Sequence, residues 1–496
     1  MALALKRIAP EAAGVASADL LSFLKSLDDV GFFTHSLLIA RGNDVVYEAY
    51  YKPFEAATLH RQYSVSKSFV SAAVGVAVTE GLLCLDDVII DYFPEFLNEN
   101  TNDGLYTRCR VRDMLQMKSN ITTNVAWWGK FKTRVEAYYT QKSAKVPGSY
   151  FTYDSIGSFL LGVIIERLTG QDFLTYLKEK VLLELGFSKE SYVLKEPGGH
   201  GVGDSGVMCT TRDLLILARL FACEGNVGGK QYIDARFMRD AISPMTHNDV
   251  YAGVGPLKNS GYGYLTWITP VGFALVGAGD QLALYDKRRD VTLVINADDQ
   301  GAGAASELIY HSFATLLLPL FDKKSGEVDP VAQAALTAYE GSRALRVQRG
   351  RVESPLKSTV NGASFESVFG NVLGIERFSV CFEGEGGRLD FVRDGKPLGF
   401  EFGLGFNKKT KFSFGERARA DRMGVWEVGA YDAMASAAFV DENTLMILLQ
   451  VTDTYAGKLH VTLAFGEGEA SMHITGTGQY VFAKMSADVL GKRSKV

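Results

Sequence analysis

Hydrophobic residues change their spacing several times along the N-terminal part of the chain, and each spacing predicts a different element. Residues 36–51, SLLIARGNDVVYEAYY, form two apolar runs around a Gly-Asn pair, which predicts a β-hairpin. The run from residue 68 to residue 78 is apolar on nearly every side, as is typical of a buried helix. Residues 155–185 keep a helical spacing that is broken at Gly170, which predicts two consecutive helical segments.

The pattern continues with one more helix and then returns to strands. Residues 210–225, TTRDLLILARLFACEG, predict a helix that is capped by Thr210 or Thr211. Residues 261–297 contain apolar runs that we interpret as antiparallel strands. Strands at both ends with helices between them predict an α+β fold, an antiparallel sheet flanked by helices, over residues 1–321.

A polar stretch rich in helix and strand breakers divides the chain. It contains DKKSGEVDP, and we interpret residues 322–334 as a linker. A short helical pattern follows, and most of residues 335–496 consists of short alternating strands with turns at regular spacing. This pattern predicts a C-terminal domain built as an all-β antiparallel barrel.

Composition and charge exclude several classes of function. The 496 residues are 47% hydrophobic and 22% charged, which is typical of a soluble globular protein. The net charge is −5 and lysine and arginine do not cluster in a run, so we expect no nucleic-acid partner. Charged residues interrupt the N-terminal apolar stretch, and no apolar run is long enough to span a membrane, so we expect a cytoplasmic protein without a membrane partner. The five cysteines are scattered without CxxC spacing, so we expect neither a disulfide framework nor a metal site. The sequence contains no P-loop, and we expect no cofactor.

A serine and a lysine stand at the head of the apolar run that predicts the buried helix. Ser64 and Lys67 are three residues apart, and a helix brings such residues to one face. A buried ammonium is costly unless it is paired or loses its proton, and an amine of lowered pKa can accept a serine proton. The pair alone leaves two interpretations open: a nucleophile with its proton acceptor, or a helix-capping serine beside a lysine that reaches solvent.

A second motif bears on that choice. Residues 147–158, PGSYFTYDSIGS, place Tyr153 directly before a predicted helix. Together with the Ser-Val-Ser-Lys sequence of residues 64–67, this stretch resembles the serine β-lactamase and penicillin-recognising hydrolase family. The resemblance is to its class C branch, which includes the family VIII esterases and the 6-aminohexanoate-dimer hydrolases. It covers residues 15–320, and further stretches that resemble the family in the same order are IIERLTG, GVMCTTRDLLILARL, GYGYLTW and GAGDQLALYDKRRDVTLVINA.

The resemblance implies a role for each matching residue. Ser64 would be the nucleophile and Lys67 its partner, and Tyr153 would take the serine proton as a phenolate that the lysine keeps ionised. The backbone N–H groups of Ser64 and Ala278 would form the oxyanion hole. The residues implied as substrate contacts are Ser155, Gly277, Gly279 and, in a loop position that plain packing explains equally well, Trp127 and Trp128.

Three departures from the family pattern shape the expected activity. Ser155 replaces an asparagine, Leu275 stands where class C β-lactamases keep a lysine, and Asp280 replaces a glycine. Without that lysine, the site lacks the cation that would bind the carboxylate of a β-lactam or of peptidoglycan. We therefore expect a serine hydrolase that cleaves small-molecule carboxylic esters or short amides through an acyl-enzyme on Ser64. Two alternatives stay open: a catalytically silent relative that binds a ligand or a partner, and a weak β-lactamase or peptidase.

Two further features have no assigned chemistry. GDSG at residues 203–206 matches the nucleophile motif of chymotrypsin-like proteases, but those enzymes need a separate histidine and aspartate on an all-β fold. The pattern around this tetrapeptide is helical, which disfavours that interpretation. The C-terminal strands resemble the lipocalin-like barrels appended to some relatives, which could cover the cleft, bind apolar ligands or mediate oligomers.

Overall fold

The computed structural model of the protein describes residues 3, 5–102, 104–122, 132–249, 257, 259–323, 328–419, 422–479 and 482–494. The chain divides into two compact units: Met1–Arg343 together with Asp421–Gly424, and Ala344–Ala420 together with Val425–Val496. The helix Pro330–Gly341, whose start overlaps the predicted linker, lies in the first unit.

A mixed, seven-stranded sheet forms the centre of the first unit. From one edge to the other its strands are Lys6–Arg7, Asp44–Tyr50, Thr34–Arg41, Val291–Ala297, Gln281–Asp286, Gly272–Gly277 and Trp267–Thr269. Neighbouring strands pair antiparallel, except for the parallel edge pair of Lys6–Arg7 with Asp44–Tyr50. Every residue of the two strands Gln281–Asp286 and Val291–Ala297 is buried, so the middle of the sheet is covered on both faces.

The helix Thr211–Ala222 packs against the central strands of this sheet. The α-helices of the unit are Ser17–Val30, Ser66–Thr79, Val111–Leu115, Arg134–Tyr139, Ser155–Thr169, Phe173–Leu177, Thr211–Ala222, Ala235–Ala241, Ala305–Ser312 and Pro330–Gly341. Two small sheets complete the unit, one of His60–Arg61, Val207–Cys209 and Tyr192–Val193, the other of Asn226–Val227 and Lys230–Gln231. Within the described ranges, none of the helices combines the length and the apolar character that crossing a membrane requires.

The predicted start of one of these helices and the predicted end of another are confirmed. Thr210 caps the helix Thr211–Ala222: its side chain accepts a hydrogen bond from the backbone N–H of Asp213, and the Asp213 carboxylate accepts one from the N–H of Thr210. The helix Ser155–Thr169 ends where Gly170 takes a left-handed φ of +74°.

The helix Ser66–Thr79, here called the central helix, is buried along most of its length. Every residue from Ser66 to Ala77 is buried, as the continuous apolar pattern predicts. It packs against Ser155–Thr169, here called the tyrosine helix, and against Phe173–Leu177. A polar side chain at the start of the central helix is therefore held in a nearly water-free environment.

The second unit contains a closed barrel of nine strands. Around the ring the strands are Lys396–Leu404, Gly386–Arg393, Ile375–Glu383, Ser364–Ser367, Ser486–Arg493, Glu469–Gly478, Gly457–Phe465, Thr444–Val451 and Tyr431–Phe439. Neighbours pair antiparallel, as the sequence pattern predicts, and the ring closes through a parallel pair of Gly403 with Ser436 and Leu404 with Ala437. The strand Lys408–Phe412 pairs antiparallel with the first half of Tyr431–Phe439 and so continues this seam. The unit also contains the helix Leu356–Val360, the 3-10 helix Phe482–Lys484 and the two-stranded pair Glu416–Ala418 with Trp426–Val428.

The alternation of exposed and buried residues along the strands explains why these segments form a barrel. Along Ser486–Arg493, exposed and buried residues alternate over the first six positions, so one face of the strand points to the interior. Buried phenylalanines from several strands contact one another there, for example Phe400 with Phe412 at a ring-centroid distance of 5.9 Å and Phe391 with Phe414 at 5.8 Å. These rings are part of the core of the barrel.

Candidate active site

Ser64 lies in a tight turn directly before the central helix. The turn is a 3-10 turn over Tyr63–Val65, and the α-helix begins at Ser66, two residues after the predicted nucleophile. Because a 3-10 turn has three residues per turn, residues i and i+3 eclipse one another, and Ser64 and Lys67 meet on one face. Tyr63 has a φ of +44°, a left-handed conformation that costs a non-glycine residue about 1 kcal/mol or more. Backbone strain is thus stored at the residue that precedes Ser64.

Lys67 is buried beside Ser64. Its side chain is only 1% exposed, and Nζ donates hydrogen bonds to Ser64 Oγ at 3.0 Å and to the backbone carbonyl of Asp204 at 2.8 Å. Burial lowers the pKa of Lys67 to about 8; Asp204 and Asp154 act in the opposite direction, and Arg134 lowers the pKa further. A substantial fraction of Lys67 is therefore a neutral amine at mildly alkaline pH, and this is the form that can accept a proton from Ser64.

Tyr153 lies close to both residues, just before the tyrosine helix. The Nζ of Lys67 is 5.0 Å from the centre of its ring, and its hydroxyl group shares a hydrogen bond with Ser64. Burial raises the pKa of Tyr153 above its ordinary value; the hydrogen bond with Ser64 acts against this, and the charge of Asp204 adds to it. This direction favours a neutral phenol in the resting protein, whereas the family resemblance implies a phenolate.

Tyr153 belongs to a group of aromatic side chains that pack against one another. Trp267 stacks on Tyr153 with ring centroids 5.6 Å apart and an interplanar angle of 19°. Tyr262 meets the same indole edge-on at 4.9 Å, and Phe151 at 6.1 Å. The sequence marks Trp267 only as part of the stretch GYGYLTW, so its place beside the predicted tyrosine is known from the structure alone.

The strand Gly272–Gly277 ends against the backbone of the turn that carries Ser64. A Cβ atom added to Gly277 would lie 2.3 Å from the carbonyl oxygen of Gln62, so only glycine permits this approach. Ala278, the next residue, is exposed at the end of the strand. The approach therefore brings the predicted oxyanion residue Ala278 to the same side of the unit as Ser64.

The two residues after Ala278 make the tight turn that leads into the next strand. Gly279 and Asp280 both have left-handed backbones, with φ values of +75° and +66°. Aspartate enters this region more readily than most residues, so the replacement of a glycine by Asp280 preserves the turn. The Asp280 carboxylate also accepts a hydrogen bond from the hydroxyl group of Ser306.

Buried side-chain amides form hydrogen bonds that stabilise this turn. Gln281 donates from Nε2 to the carbonyl oxygen of Ala278 at 3.3 Å and to that of Ala297 at 2.5 Å. Its Oε1 accepts a hydrogen bond from Asn296 Nδ2 at 2.9 Å, and Asn296 in turn accepts one from Thr211 at 3.0 Å. Since Gln281 fixes the Ala278 carbonyl, it also fixes the peptide that follows the predicted oxyanion donor.

A buried carboxyl group supports the chain next to Tyr153. Asp154 caps the tyrosine helix by accepting a hydrogen bond from the N–H of Gly157 at 3.1 Å, and it accepts a second from Ser119 Oγ at 2.7 Å. Burial raises the pKa of this carboxyl group. Ser155, which the resemblance assigns to substrate binding, is buried as the first residue of the helix.

The other predicted positions have different outcomes. Leu275, which takes the place of the family lysine, is completely buried in the sheet. Trp127 and Trp128 lie outside the described residues. In the part of the chain that the structure describes, no group of three or more histidine, cysteine, aspartate or glutamate side chains is arranged to hold a metal ion.

The chain is similar to a known family and to several known proteins. A family model described as Beta-lactamase matches residues 25–313. The 6-aminohexanoate-dimer hydrolase of Paenarthrobacter ureafaciens is 23% identical over 229 residues, which cover 42% of this chain and 57% of that protein. Penicillin-binding protein 4* of Bacillus subtilis (strain 168) is 21% identical over 187 residues, 34% of this chain and 40% of that protein. The chain thus spans about half the length of the curated relatives that it matches.

The fold of the chain is similar to that of a solved structure. EstCE1, a hydrolase with promiscuous acyltransferase activity, superposes with a TM-score of 0.50 and 16% identity, covering 60% of this chain and 98% of that chain. At this identity the likeness concerns the fold alone.

Proposed function

The chain belongs to the beta-lactamase family, and from this premise we propose that it is a serine hydrolase that cleaves small carboxylic esters or short amides through an acyl-enzyme on Ser64. One observation carries the proposal: the Nζ of the buried Lys67, whose pKa is lowered to about 8, lies 3.0 Å from Ser64 Oγ. A general base must be within hydrogen-bond reach of the proton that it takes and must be unprotonated near the working pH, and Lys67 meets both requirements.

Acylation uses the Ser64 hydroxyl group, the Lys67 amine and the two backbone N–H groups of the oxyanion hole. Ser64 Oγ attacks the substrate carbonyl carbon while its proton passes to the neutral Nζ of Lys67. The carbonyl oxygen becomes an oxyanion, which accepts hydrogen bonds from the backbone N–H groups of Ser64 and Ala278. The tetrahedral intermediate then collapses, and the bond to the alcohol or amine leaving group breaks.

Tyr153 completes the proton transfer as a neutral phenol. Its hydroxyl proton goes to the leaving group, and it receives the proton that Lys67 took from Ser64. A water molecule then attacks the acyl-enzyme by the reverse proton route, which releases the carboxylic acid and restores Ser64. The raised pKa of Tyr153 supports this relay over a phenolate base, because a phenol keeps its proton until the leaving group needs it.

Two features close to the nucleophile bear on the class of substrate. The strand position where β-lactamases keep a lysine holds the buried Leu275, which cannot bind a carboxylate. Tyr153 is half-buried beside Ser64 and stacks on the buried Trp267, so an aromatic ring borders the nucleophile. Both features favour a neutral ester or amide with an apolar group over an anionic β-lactam. The name of the 6-aminohexanoate-dimer hydrolase supports the amide arm of the proposal.

The experiment is active-site labelling combined with an ester assay. A serine-directed phosphonate should modify Ser64, and Ser64→Ala should abolish both the labelling and the hydrolysis of p-nitrophenyl butyrate. Ser66 is the matched alternative, because its buried Oγ accepts a hydrogen bond from the N–H of Val207 at 2.9 Å and so has a structural role. A label on Ser66 or on Ser205 would contradict the assignment. A parent protein that is neither labelled nor active on esters, short amides or nitrocefin would favour the silent ligand-binding relative.

A further inference from the structure

The tetrapeptide GDSG, which matches a protease motif in sequence, takes part in a different arrangement in the structure. Asp204 accepts a hydrogen bond from Lys67 Nζ at its backbone carbonyl and another from Arg134 Nη1 at its Oδ1, at 2.8 and 2.7 Å. The side chains of Arg134 and Asp204 are 1% and 0% exposed. Withdrawing two full charges from water is costly for a fold, and a neutral pair of the same size is often at least as stable. The position of this pair beside Lys67 suggests a role other than stability.

We propose that Arg134 and Asp204 form a positioning ion pair that holds the Lys67 amine against Ser64 and balances the charge around it. The inference rests on the proposed function of Ser64 and goes beyond it, because it assigns a role to two residues that the acylation steps do not use. Both residues act through Lys67.

Packing fixes the pair from both sides. The guanidinium of Arg134 lies 4.3 Å from the ring centre of Phe159, a completely buried residue of the tyrosine helix. On the other side, a Cβ atom added to Gly203 would lie 2.8 Å from a methyl group of Val70, so the loop that carries Asp204 is pressed against the central helix one turn after Lys67. The ion pair therefore sets the position of the carbonyl to which Lys67 donates.

The charges of Asp204 and Arg134 change the pKa of Lys67 in opposite directions. Asp204 favours the ammonium form and Arg134 disfavours it, with Asp154 favouring it from the chain next to Tyr153. With Asp204 alone, the ammonium form would be favoured more strongly, and less of the neutral amine would be present to take the proton of Ser64. With Arg134 alone, the ammonium formed during acylation would be destabilised. The pair together leaves an amine that can be charged or neutral within one catalytic cycle.

The test uses three variants of the full chain, Asp204→Asn, Arg134→Gln and the double variant. For each one, the pH dependence of kcat/KM on p-nitrophenyl butyrate and of the phosphonate labelling rate is measured. We expect the midpoint of the acid limb to move down by about one pH unit or more in Asp204→Asn and up by a similar amount in Arg134→Gln. The double variant should return to within about half a unit of the parent, with kcat lowered about tenfold or more and KM changed less than threefold, because Lys67 is charge-balanced but less firmly held.

The control is Arg219→Gln, which breaks another ion pair of the first unit, that with Asp290, and should leave the midpoint in place. If all variants lose stability while their midpoints stay at the parent value, the pair is only structural and the inference is overturned. If the single variants do not fold, the double variant decides: a kcat within threefold of the parent overturns the inference. A parent without Ser64 labelling would instead refute the proposed function, so the two failures are distinguishable.

Discussion

Replacing Lys67 by methionine should abolish activity and yet make the protein more stable. The lysine pKa falls from 10.5 to about 8 on burial. At about 1.4 kcal/mol per unit, the ammonium therefore destabilises the folded state by roughly 3 kcal/mol at pH 7. Methionine removes this penalty but also removes the hydrogen bonds to Ser64 and Asp204, each worth about 1 kcal/mol. The expected result is a net stabilisation of about 1–2 kcal/mol at pH 7.

The stabilisation has a definite pH dependence. The unfolded chain keeps the Lys67 proton up to its ordinary pKa of 10.5, whereas the folded protein releases it near pH 8. Between these values the unfolded state binds more protons, so the stability of the parent rises with pH across this window. Lys67→Met lacks this rise. The gain in stability of this variant over the parent should be full below about pH 8 and should be lost by about pH 10.5.

Thermal unfolding at pH 7 and pH 10, together with ester hydrolysis, measures both effects. Lys145 offers a matched control: it is also buried with a pKa lowered to about 8, and its Nζ donates to the backbone carbonyl of Tyr150 at 2.8 Å. Lys145→Met should show a stability change of the same sign while hydrolysis stays within a few fold of the parent. A Lys67→Met protein that is less stable than the parent at pH 7, or whose advantage is equal at both pH values, would refute the reasoning.

Three other predictions concern the remaining parts of the site. Tyr153→Phe should lower kcat by about 10²–10⁴ with little change in melting temperature, since only the proton relay is removed; a kcat within threefold of the parent would mean that the ring is packing alone. Gly277→Ala should destabilise the protein by about 1–3 kcal/mol and lower activity at least about tenfold, because its Cβ would overlap the carbonyl of Gln62, whereas Ala278→Ser, one residue along, should be tolerated in thermal unfolding and ester assays. Because Leu275 is buried where a carboxylate-binding lysine would stand, kcat/KM for p-nitrophenyl butyrate should exceed that for nitrocefin, and the reverse order would contradict the proposed substrate class.

Local patterns predicted the elements well. The Gly-Asn hairpin, the helix start at Thr210 and the continuous burial of the central helix are all confirmed, because each depends on residues close together in the chain. The family and the order of sheet, helices and C-terminal barrel are also confirmed, since motifs in the same order define them. The alternation of apolar and polar residues predicted the barrel strands. It did not predict the parallel pair that closes the ring, because this pair depends on how the first and last strands meet.

The electrostatics of the site depend on distant residues and could not be predicted. Arg134 and Asp204 are 70 positions apart, and no local spacing marks them as partners. The neutral state favoured for Tyr153 follows from burial, which the sequence around Tyr153 does not reveal. The same holds for Trp267, whose stacking on Tyr153 requires the sheet edge to meet the tyrosine helix.

The seam of the barrel bears on how the second unit opens and aggregates. Two residue pairs join Lys396–Leu404 to Tyr431–Phe439, whereas the neighbouring antiparallel pairs are joined along most of their length. A closed ring leaves no free strand edge, and an edge is the usual template for adding a strand from another molecule. We expect backbone amides at Gly403–Leu404 and Ser436–Ala437 to exchange with solvent before those of the opposite side of the ring. The short strand Lys408–Phe412, which continues the seam, then has a protective role: when it detaches, the barrel presents a bare β edge, and the protein becomes prone to self-association.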